Sequence, residues 1–376
     1  MEFHSISFSN KNNKIIYNKI KCNLENIKSN YILKKIFFNL TKKKYLEIIK
    51  YNKKSQNILN ITINNYKEYM DKYSSIEIEV KTVQNEHGNF INYENKESFC
   101  HIYFNDEKEE IKRNYLTKDD NVSKIKIILD YQITSFLELF KKCSCLESIY
   151  FKKFYRNNIK NMCNMFYYCT SLKSVDLTNF NTDNLVNMEG MFYGCASLKE
   201  INLSNFKTNN VTNMSFMFYK CLSLITLNLS NFNTENVKYM QYIFYGCKSL
   251  NSLNLSSFNT SKVVNMCYMF YDCSSLKELN LLKFNTINVS YMNNMFEGCS
   301  NLNKLDISNF KTDNVDDMSY MFDGCSSLKD LDLSNFNTNH LTNSFGIFNK
   351  CSNALKNKIK KNYNNLFDLL DIFGNY

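Results

Sequence analysis

The sequence predicts an α/β repeat fold, a solenoid whose coils each contribute one strand and one short helix. The first observation is a cysteine that recurs every 26 residues without insertion or deletion. Self-similarity at such a period is typical of a solenoid. The second is the pattern after each cysteine, where apolar residues first alternate and then recur at helical spacing. The recurring cysteines, which we call the cysteine ladder, are Cys143, Cys169, Cys195, Cys221, Cys247, Cys273, Cys299, Cys325 and Cys351.

Composition and charge argue against nucleic-acid binding as the function. The 376 residues include no proline, no tryptophan and 8 glycines, and the net charge is +10. Residues 1–142 hold 25 Lys/Arg against 18 Asp/Glu, so most of the excess positive charge precedes the repeats. A modest lysine excess of this kind is typical of a solvated surface and argues against nucleic-acid binding.

The 14 cysteines do not form a disulfide pattern. Nine of them occupy one repeat position, and an odd column of stacked neighbours cannot pair completely. Their spacing does not match a zinc site. We therefore expect buried free thiols, which behave as small apolar groups and favour a reducing, cytoplasmic compartment. The first residues contain no apolar run typical of a signal peptide, and no stretch approaches the length of a membrane span.

The chain before the repeats predicts three parts. Residues 1–30 are polar and expected to be disordered, and residues 31–73 show apolar residues at helical spacing. Part of this helical unit, ILKKIFFNLTKKKYLEIIKYNKKSQNIL within residues 31–60, resembles an F-box in its apolar spacing, but it lacks the Leu-Pro opening. The resemblance implies docking on a ubiquitin-ligase adaptor through residues such as Ile36 and Leu40. A helical cap or spacer is the other interpretation.

Residues 74–142 predict a mixed strand and helix cap. Ile76, Ile78 and Val80 alternate with charged residues, and segments 99–104 and 125–129 are further predicted strands. An atypical terminal unit is expected because the end of a solenoid would otherwise expose its core. At the other end, residues 352–376 predict a capping helix.

Each of the eight repeats in residues 143–351 combines two patterns. Leu-x-x-Leu-x-Leu predicts a short strand, so that stacked copies form a parallel sheet. Apolar residues such as Leu185, Met188 and Phe192 then predict a helix of two to three turns with a Met/Phe core face. A threonine before each helix, such as Thr208, is expected to cap it, and glycines such as Gly194 are expected to end it.

The motif LSNFNTxNVxNMxxMFxxCxSLxxL resembles the BspA-like leucine-rich repeats of bacterial, mycoplasma and protist surface proteins. Eight consecutive units carry it, over more than half of the chain. The resemblance implies a right-handed leucine-rich-repeat solenoid, with a parallel sheet on one side and short helices on the other, that binds other macromolecules. It also leaves a cell-surface location open.

Two outward columns are predicted on the sheet. Asn202, Asn228, Asn254 and their equivalents are expected to form a ladder of hydrogen-bonded amides along the stack. The column two residues earlier varies freely and is therefore a candidate partner-binding surface. Its members are Glu200, Thr226, Ser252, Glu278, Lys304 and Asp330.

The opposite side of the repeats carries the second candidate surface. Aromatic residues three positions apart occur together only in three central repeats, and a contiguous exposed aromatic band would mark an interaction surface. The other interpretation is that these rings pack between adjacent repeats. The band residues are Phe216, Tyr219, Tyr242, Tyr245, Tyr268 and Tyr271. Acidic residues concentrated in the last repeats are interpreted as a solvated face and not as a metal site.

No motif for catalysis, cofactor binding or metal binding is present in the sequence. The sequence therefore predicts a non-enzymatic scaffold that binds a protein partner, or alternatively a glycan. Two other hypotheses are an F-box-like substrate receptor of a ubiquitin ligase and a surface adhesin exported without a classical signal. The identity of the partner and the oligomeric state stay open.

Overall fold

The computed structural model describes residues 29–31, 34, 46, 49, 52–93 and 97–367, with the side chains of 364–367 left aside. The chain divides into two compact units, Met1–Ser74 and Ser75–Tyr376. The segment predicted to be disordered, residues 1–30, lies almost entirely outside the described residues.

The first unit contains two described helices, α1 at Lys53–Ile58 and α2 at Ile63–Tyr73. Asn52 caps α1 because its side chain accepts a hydrogen bond from the backbone N–H of Ser55 at 2.9 Å. Most of the F-box-like segment, including Ile36 and Leu40, lies outside the described residues, so the adaptor-docking hypothesis stays a prediction. None of the described helices is long and apolar enough to cross a membrane.

The second unit begins with an antiparallel sheet, whereas the sequence predicts a cap of mixed strands and helices for residues 74–142. Its strands alternate buried and less buried residues, which places one apolar face of each strand in the core. The strands of this cap are β1 (Ile76–Thr82), β2 (Gly88–Asn89), β3 (Cys100–Phe104), β4 (Tyr115–Leu116) and β5 (Lys124–Leu129). A 3-10 turn at Glu97–Phe99 is the helical element between β1 and β5 that the structure describes.

Strand β6, Leu146–Lys153, joins the cap to the repeats. On one edge it pairs antiparallel with β1, with Ile149 opposite Val80. On its other edge it pairs parallel with β7, with Ile149 opposite Val175. The cap therefore continues the sheet of the first repeat, and the first repeat strand is not left as an open edge.

The repeat strands are short and parallel. Partners lie one repeat apart, as where Leu227 faces Leu253. On the opposite side of each repeat, isolated parallel bridges such as Asn187 with Asn213 keep the same offset. Because every partner is 26 residues away, the repeats stack in one register. The three-residue strands are β7 (Ser174–Asp176), β8 (Thr226–Asn228), β9 (Ser252–Asn254), β10 (Glu278–Asn280) and β11 (Lys304–Asp306).

The predicted short helix in each repeat is wrong. Residues 143–351 are all described, and outside the short strands they form consecutive turns and no helix. The N–H of Met165 donates to the carbonyl of Met162 at 3.2 Å, whereas the N–H of Met162 donates to Asn187 in the next repeat. Asn164 and Tyr168 have φ of 53° and 54°. A left-handed residue every fourth position interrupts an α-helix, and the neighbouring repeat then satisfies the free backbone donors.

Two ladders fill the core between the sheet and the turns. Phenylalanine rings stack from each repeat to the next, with centroids 5.3–5.9 Å apart, from Phe140 to Phe348. Each ladder cysteine from Cys169 to Cys351 donates its thiol to a phenylalanine carbonyl of the preceding repeat, at 2.9–3.2 Å. Every described cysteine is a free thiol, as the sequence predicts for the ladder.

The repeated threonine links repeats and does not cap helices. The hydroxyl of Thr208 donates to the carbonyl of Asn233 at 2.8 Å. Arg156 stands at this position in the first repeat, where its fully buried guanidinium donates to the carbonyls of Tyr131 at 2.8 Å and Ile133 at 2.5 Å. Arg156 therefore attaches the first repeat to the cap.

The last repeat is covered by α3, Asn353–Phe367. Leu355 and Ile359, one helical turn apart, are buried in the same core as the repeats. On the exposed side, Lys358 forms an ion pair with Asp330 at 2.6 Å. The apolar end of the stack is thereby removed from water, as expected for a terminal cap.

Candidate binding surfaces

The nine residues before each ladder cysteine form one turn segment. Hydrogen bonds join each segment to the next, so the exposed and half-buried side chains of successive segments form a continuous surface, which we call the turn face. The turn segments comprise residues 134–142, 160–168, 186–194, 212–220, 238–246, 264–272, 290–298, 316–324 and 342–350.

The fifth residue of a turn segment adopts the left-handed conformation. Glycine or asparagine stands there in four segments, as residues 164, 190, 294 and 346. In the other five segments the residue is Glu138, Phe216, Tyr242, Tyr268 or Tyr320, all with positive φ. The three adjacent central ones, Phe216, Tyr242 and Tyr268, have φ of 59°, 60° and 56°. A bulky side chain costs about 1–2 kcal/mol in this conformation, so the surrounding structure must hold these rings against their backbone preference.

Ring stacking supplies much of that support. Phe216 stacks on Tyr242 at 4.7 Å, and Tyr242 stacks on Tyr268 at 4.6 Å. A second column beside them consists of tyrosines stacked 4.2–4.5 Å apart. Its members are Tyr167, Tyr193, Tyr219, Tyr245 and Tyr271. Aromatic pairs contribute about 0.5–1.5 kcal/mol each beyond area burial, which is enough to offset the backbone cost.

All six predicted band residues lie together on the turn face, half-buried. Their rings pack between adjacent repeats, as one of the two sequence interpretations expects. The ring faces are consequently covered by one another, and the ring edges and hydroxyl groups point to the surface. The surface nevertheless forms one contiguous aromatic band.

The hydroxyls of Tyr242, Tyr245 and Tyr271 are protonated at neutral pH. Burial, followed by the neighbouring Cys267 and Tyr268, raises the pKa of Tyr242 to about 12. Burial also raises the pKa of Tyr245 and of Tyr271. These three hydroxyls can therefore both donate and accept a hydrogen bond.

Acidic residues replace tyrosine towards the end of the second column. Glu297 follows Tyr271 and accepts a hydrogen bond from the side chain of Asn294, and burial raises the pKa of the Glu297 carboxyl. Asp323 comes next and is buried, with its carboxylate 3.3 Å from Lys350. The turn face thus changes from aromatic to acidic along the stack.

Sequence reasoning missed four further exposed aromatics on the turn face, Tyr168, Tyr239, Tyr291 and Phe345. Tyr239 and Tyr291 are exposed, at 44% and 47%, in the column where other repeats carry Asn187 and Asn213. The sequence did contain a signal for Tyr239 and Tyr291, because most other repeats carry asparagine or aspartate at this position. This column lies three residues before the left-handed position, outside the two columns that the sequence argument compared.

The other candidate surface, the variable column of the sheet, lies on the side of the repeats opposite the turn face. All six members of the variable column, residues 200, 226, 252, 278, 304 and 330, are exposed. The predicted amide ladder beside them is wrong. Asn202 instead accepts a hydrogen bond from the backbone N–H of Ser204 at 3.0 Å, and Asn228 does the same with Ser230. Side-chain turns of this kind satisfy asparagine locally and do not link repeats.

The acidic residues of the last repeats take part in local hydrogen bonds. Across the described parts of the chain, no group of three or more His, Cys, Asp or Glu side chains is placed to hold a metal ion. Asp317 and Asp332 instead accept hydrogen bonds from nearby backbone N–H groups, at 2.8 Å and 2.9 Å.

Comparisons with known proteins match one family model to the repeats. A family profile described as "Mycoplasma protein of unknown function, DUF285" matches three overlapping stretches, residues 134–255, 197–304 and 244–363. A comparison with curated proteins returns no significant match. Among solved structures, a leucine-rich repeat protein from Bacteroides ovatus aligns with 60% of this chain and 80% of its own, at 16% identity and a TM-score of 0.20.

Proposed function

The chain belongs to the DUF285 family of Mycoplasma proteins of unknown function, and we propose that it is a non-enzymatic protein-interaction scaffold. We further propose that its repeats form a right-handed leucine-rich-repeat solenoid. The matched residues, 134–363, are the same residues that carry the turn face and the exposed sheet column. A rigid stack with a fixed register suits a scaffold because it holds surface side chains at regular spacing without loss of conformational entropy on binding.

The observation that carries this proposal is the placement of Phe216, Tyr242 and Tyr268 in left-handed backbone conformations. Four other repeats use glycine or asparagine at this position, so the fold itself does not require an aromatic residue. Strain that is retained in a contiguous surface group supports a functional role for that group. Aromatic residues are also enriched in the central part of protein interfaces.

A protein partner fits the band better than a glycan. Sugar rings bind proteins by stacking on open aromatic faces, whereas the faces of the band rings are covered by neighbours 4.2–4.7 Å away. Ring edges and protonated hydroxyls remain at the surface. Such groups suit a polypeptide surface, which offers carbonyl oxygens, amides and other ring faces.

The test replaces the three strained aromatics with asparagine, as F216N/Y242N/Y268N. Asparagine tolerates the left-handed conformation, so we expect the variant to unfold within a few degrees of the parent while losing its captured partners. The measurement is affinity capture from the source cell with tagged parent and variant, together with thermal unfolding.

The matched control, E200A/E278A, changes two exposed side chains of the sheet column and should leave capture by the turn face unchanged. A triple variant that is stably folded and retains every partner of the parent would refute the proposed role of the band.

A further inference from the structure

We propose that the aromatic band binds a second copy of this chain, with the two turn faces in contact and the two stacks antiparallel. The inference rests on the interaction function proposed for the band and adds the identity of the occupant. It is carried by the distribution of charge along the turn face, which the function proposal does not use.

Charge on the turn face divides along the stack. The five turn segments from residue 134 to 246 contain five lysines and two glutamates, a net charge of +3: Lys141, Lys142, Lys160, Lys220, Lys238, Glu138 and Glu189. The four segments from residue 264 to 350 contain five acidic residues and one lysine, a net charge of −4: Asp272, Glu297, Asp316, Asp317, Asp323 and Lys350. The first five segments are thus net basic and the last four net acidic, although Glu189 lies in the first group and Lys350 in the second.

Most of this charge is not neutralised within the chain. Among the ion pairs of the described residues, none involves Lys142, Lys160 or Lys238. Asp316 is likewise exposed and takes part in no described ion pair. Both ends of the turn face therefore keep charge that is available to a partner.

The band lies at the centre of this charge gradient. Nine turn segments are stacked, and the fifth, residues 238–246, carries Tyr242 and Tyr245. A two-fold axis through this segment, perpendicular to the turn face, would place the aromatic bands together. It would also place Lys160 of each copy opposite Asp316 and Asp317 of the other, and Lys220 opposite Asp272, whereas Glu189 would face Glu297 and Lys142 would face Lys350. An isologous interface requires such self-complementarity.

The parallel arrangement is disfavoured by the same charges. Two stacks that ran in the same direction would place lysine against lysine at one end and aspartate against aspartate at the other. Opposed like charges cost several kcal/mol across an interface, whereas complementary charges fix its register. The antiparallel pair also has the usual anatomy of an interface, with an aromatic centre and a charged rim.

The experiment uses two charge-reversal variants of the full chain. K160E reverses the lysine that faces Asp316 and Asp317 of the other copy, and D316K/D317K reverses those two carboxylates. Tyrosine stands at the position of Asp317 in two other repeats, so the fold tolerates its loss. We expect the parent to sediment as a dimer at low salt. Each variant alone should dissociate with a Kd raised at least about 10-fold, which corresponds to about 1.4 kcal/mol.

Mixing the two variants is the decisive step. In a mixed pair, each reversed end meets an oppositely reversed end, and each native end meets a native end, so a heterodimer with near-parental affinity should form. The control E200K/E278K changes charge on the sheet column by the same kind of substitution and should leave the dimer intact. Failure of the mixture to associate would overturn the antiparallel pairing.

The outcome also separates the two proposals. If the parent is a monomer at about 100 μM in low salt, a concentration that reports even weak pairing, the second copy is not the occupant. Capture of a different protein that depends on Phe216, Tyr242 and Tyr268 would then still support the scaffold function. A parent dimer that F216N/Y242N/Y268N dissociates supports both proposals together.

Discussion

The thiol of Cys247 donates to the carbonyl oxygen of Phe218, with 3.1 Å between sulfur and oxygen. The same carbonyl also accepts the backbone N–H of Cys221, so both of its lone pairs are used. Cysteine suits this position because it is small enough for the dry core and still provides a weak donor. The 26-residue cysteine period therefore corresponds to a ladder of hydrogen bonds between successive repeats.

The first prediction concerns thiol reactivity. Burial raises the pKa of Cys247 to about 12, so the folded protein holds this group as the unreactive thiol at pH 8. We expect maleimide labelling followed by peptide mass analysis to spare Cys169 through Cys351 along the ladder in the native protein. The same residues should label completely in denaturant.

Cys163 provides the comparison within the same chain. Cys163 is half-buried, and burial raises its pKa to about 11. It should therefore label faster than the ladder cysteines but more slowly than a fully exposed thiol. Rapid native labelling of Cys247, at the rate of Cys163 or above, would contradict the buried ladder.

The second prediction is a loss of stability at alkaline pH. In the folded state the pKa of Cys247 is about 12, above the ordinary value of 9.0 that applies to the unfolded chain. The unfolded state therefore releases protons first, and the stability contributed by the protonated thiol is complete below about pH 9 and is lost as pH rises towards 12. One pKa unit corresponds to about 1.4 kcal/mol, so a few such thiols can offset a typical folding free energy of about 5–15 kcal/mol.

Urea unfolding between pH 8 and pH 11, under reducing conditions, measures this effect. The parent should lose unfolding free energy steadily above pH 9. C247A removes one titrating thiol, so its unfolding free energy should be about 1–2 kcal/mol lower at pH 8 but less dependent on pH. A parent whose unfolding free energy stays constant to pH 11 would rule out the protonated ladder as a source of stability.

Sequence patterning predicted the register, the buried residues and the strands because each depends on which side chains avoid water. Leu198, Met188 and Phe192 are buried in the structure as their period requires. The same patterning failed for the helix. Apolar residues at positions such as 185, 188 and 192 recur in consecutive turns as well as in an α-helix, so periodicity alone does not separate the two.

A local signal for the turns was present in the sequence. Gly190 and Gly194 stand four residues apart within one repeat, and both have positive φ in the structure. Two left-handed positions within one helical turn are incompatible with a continuous helix. The aromatic band was predictable as a set of neighbouring columns because stacking follows from a fixed repeat length. The backbone strain of the band was not predictable, because the left-handed conformation of Tyr242 becomes evident only once the turns are known.

The third prediction concerns Arg156, which anchors the first repeat to the cap. Its side chain is fully buried, and burial lowers the pKa of the guanidinium to about 10. Carbonyl oxygens of Tyr131 and Ile133 accept its hydrogen bonds. Hydrogen bonds to a charged group contribute about 1.5–3 kcal/mol each, and a buried carbonyl that loses its donor carries a further cost.

We expect R156M, which keeps most of the apolar stem, to lower the free energy of unfolding by about 2–4 kcal/mol. The loss should be local, because the hydrogen bonds of Arg156 join residues 130–133 to the first repeat. Hydrogen–deuterium exchange should therefore rise in residues 124–153 while the segment 264–350 keeps its protection. The control is K112M, which removes an exposed lysine paired with Glu110 inside the cap and should change stability by less than about 1 kcal/mol. Equal effects of R156M and K112M, or faster exchange along the whole stack, would show that Arg156 is not the link between the cap and the repeats.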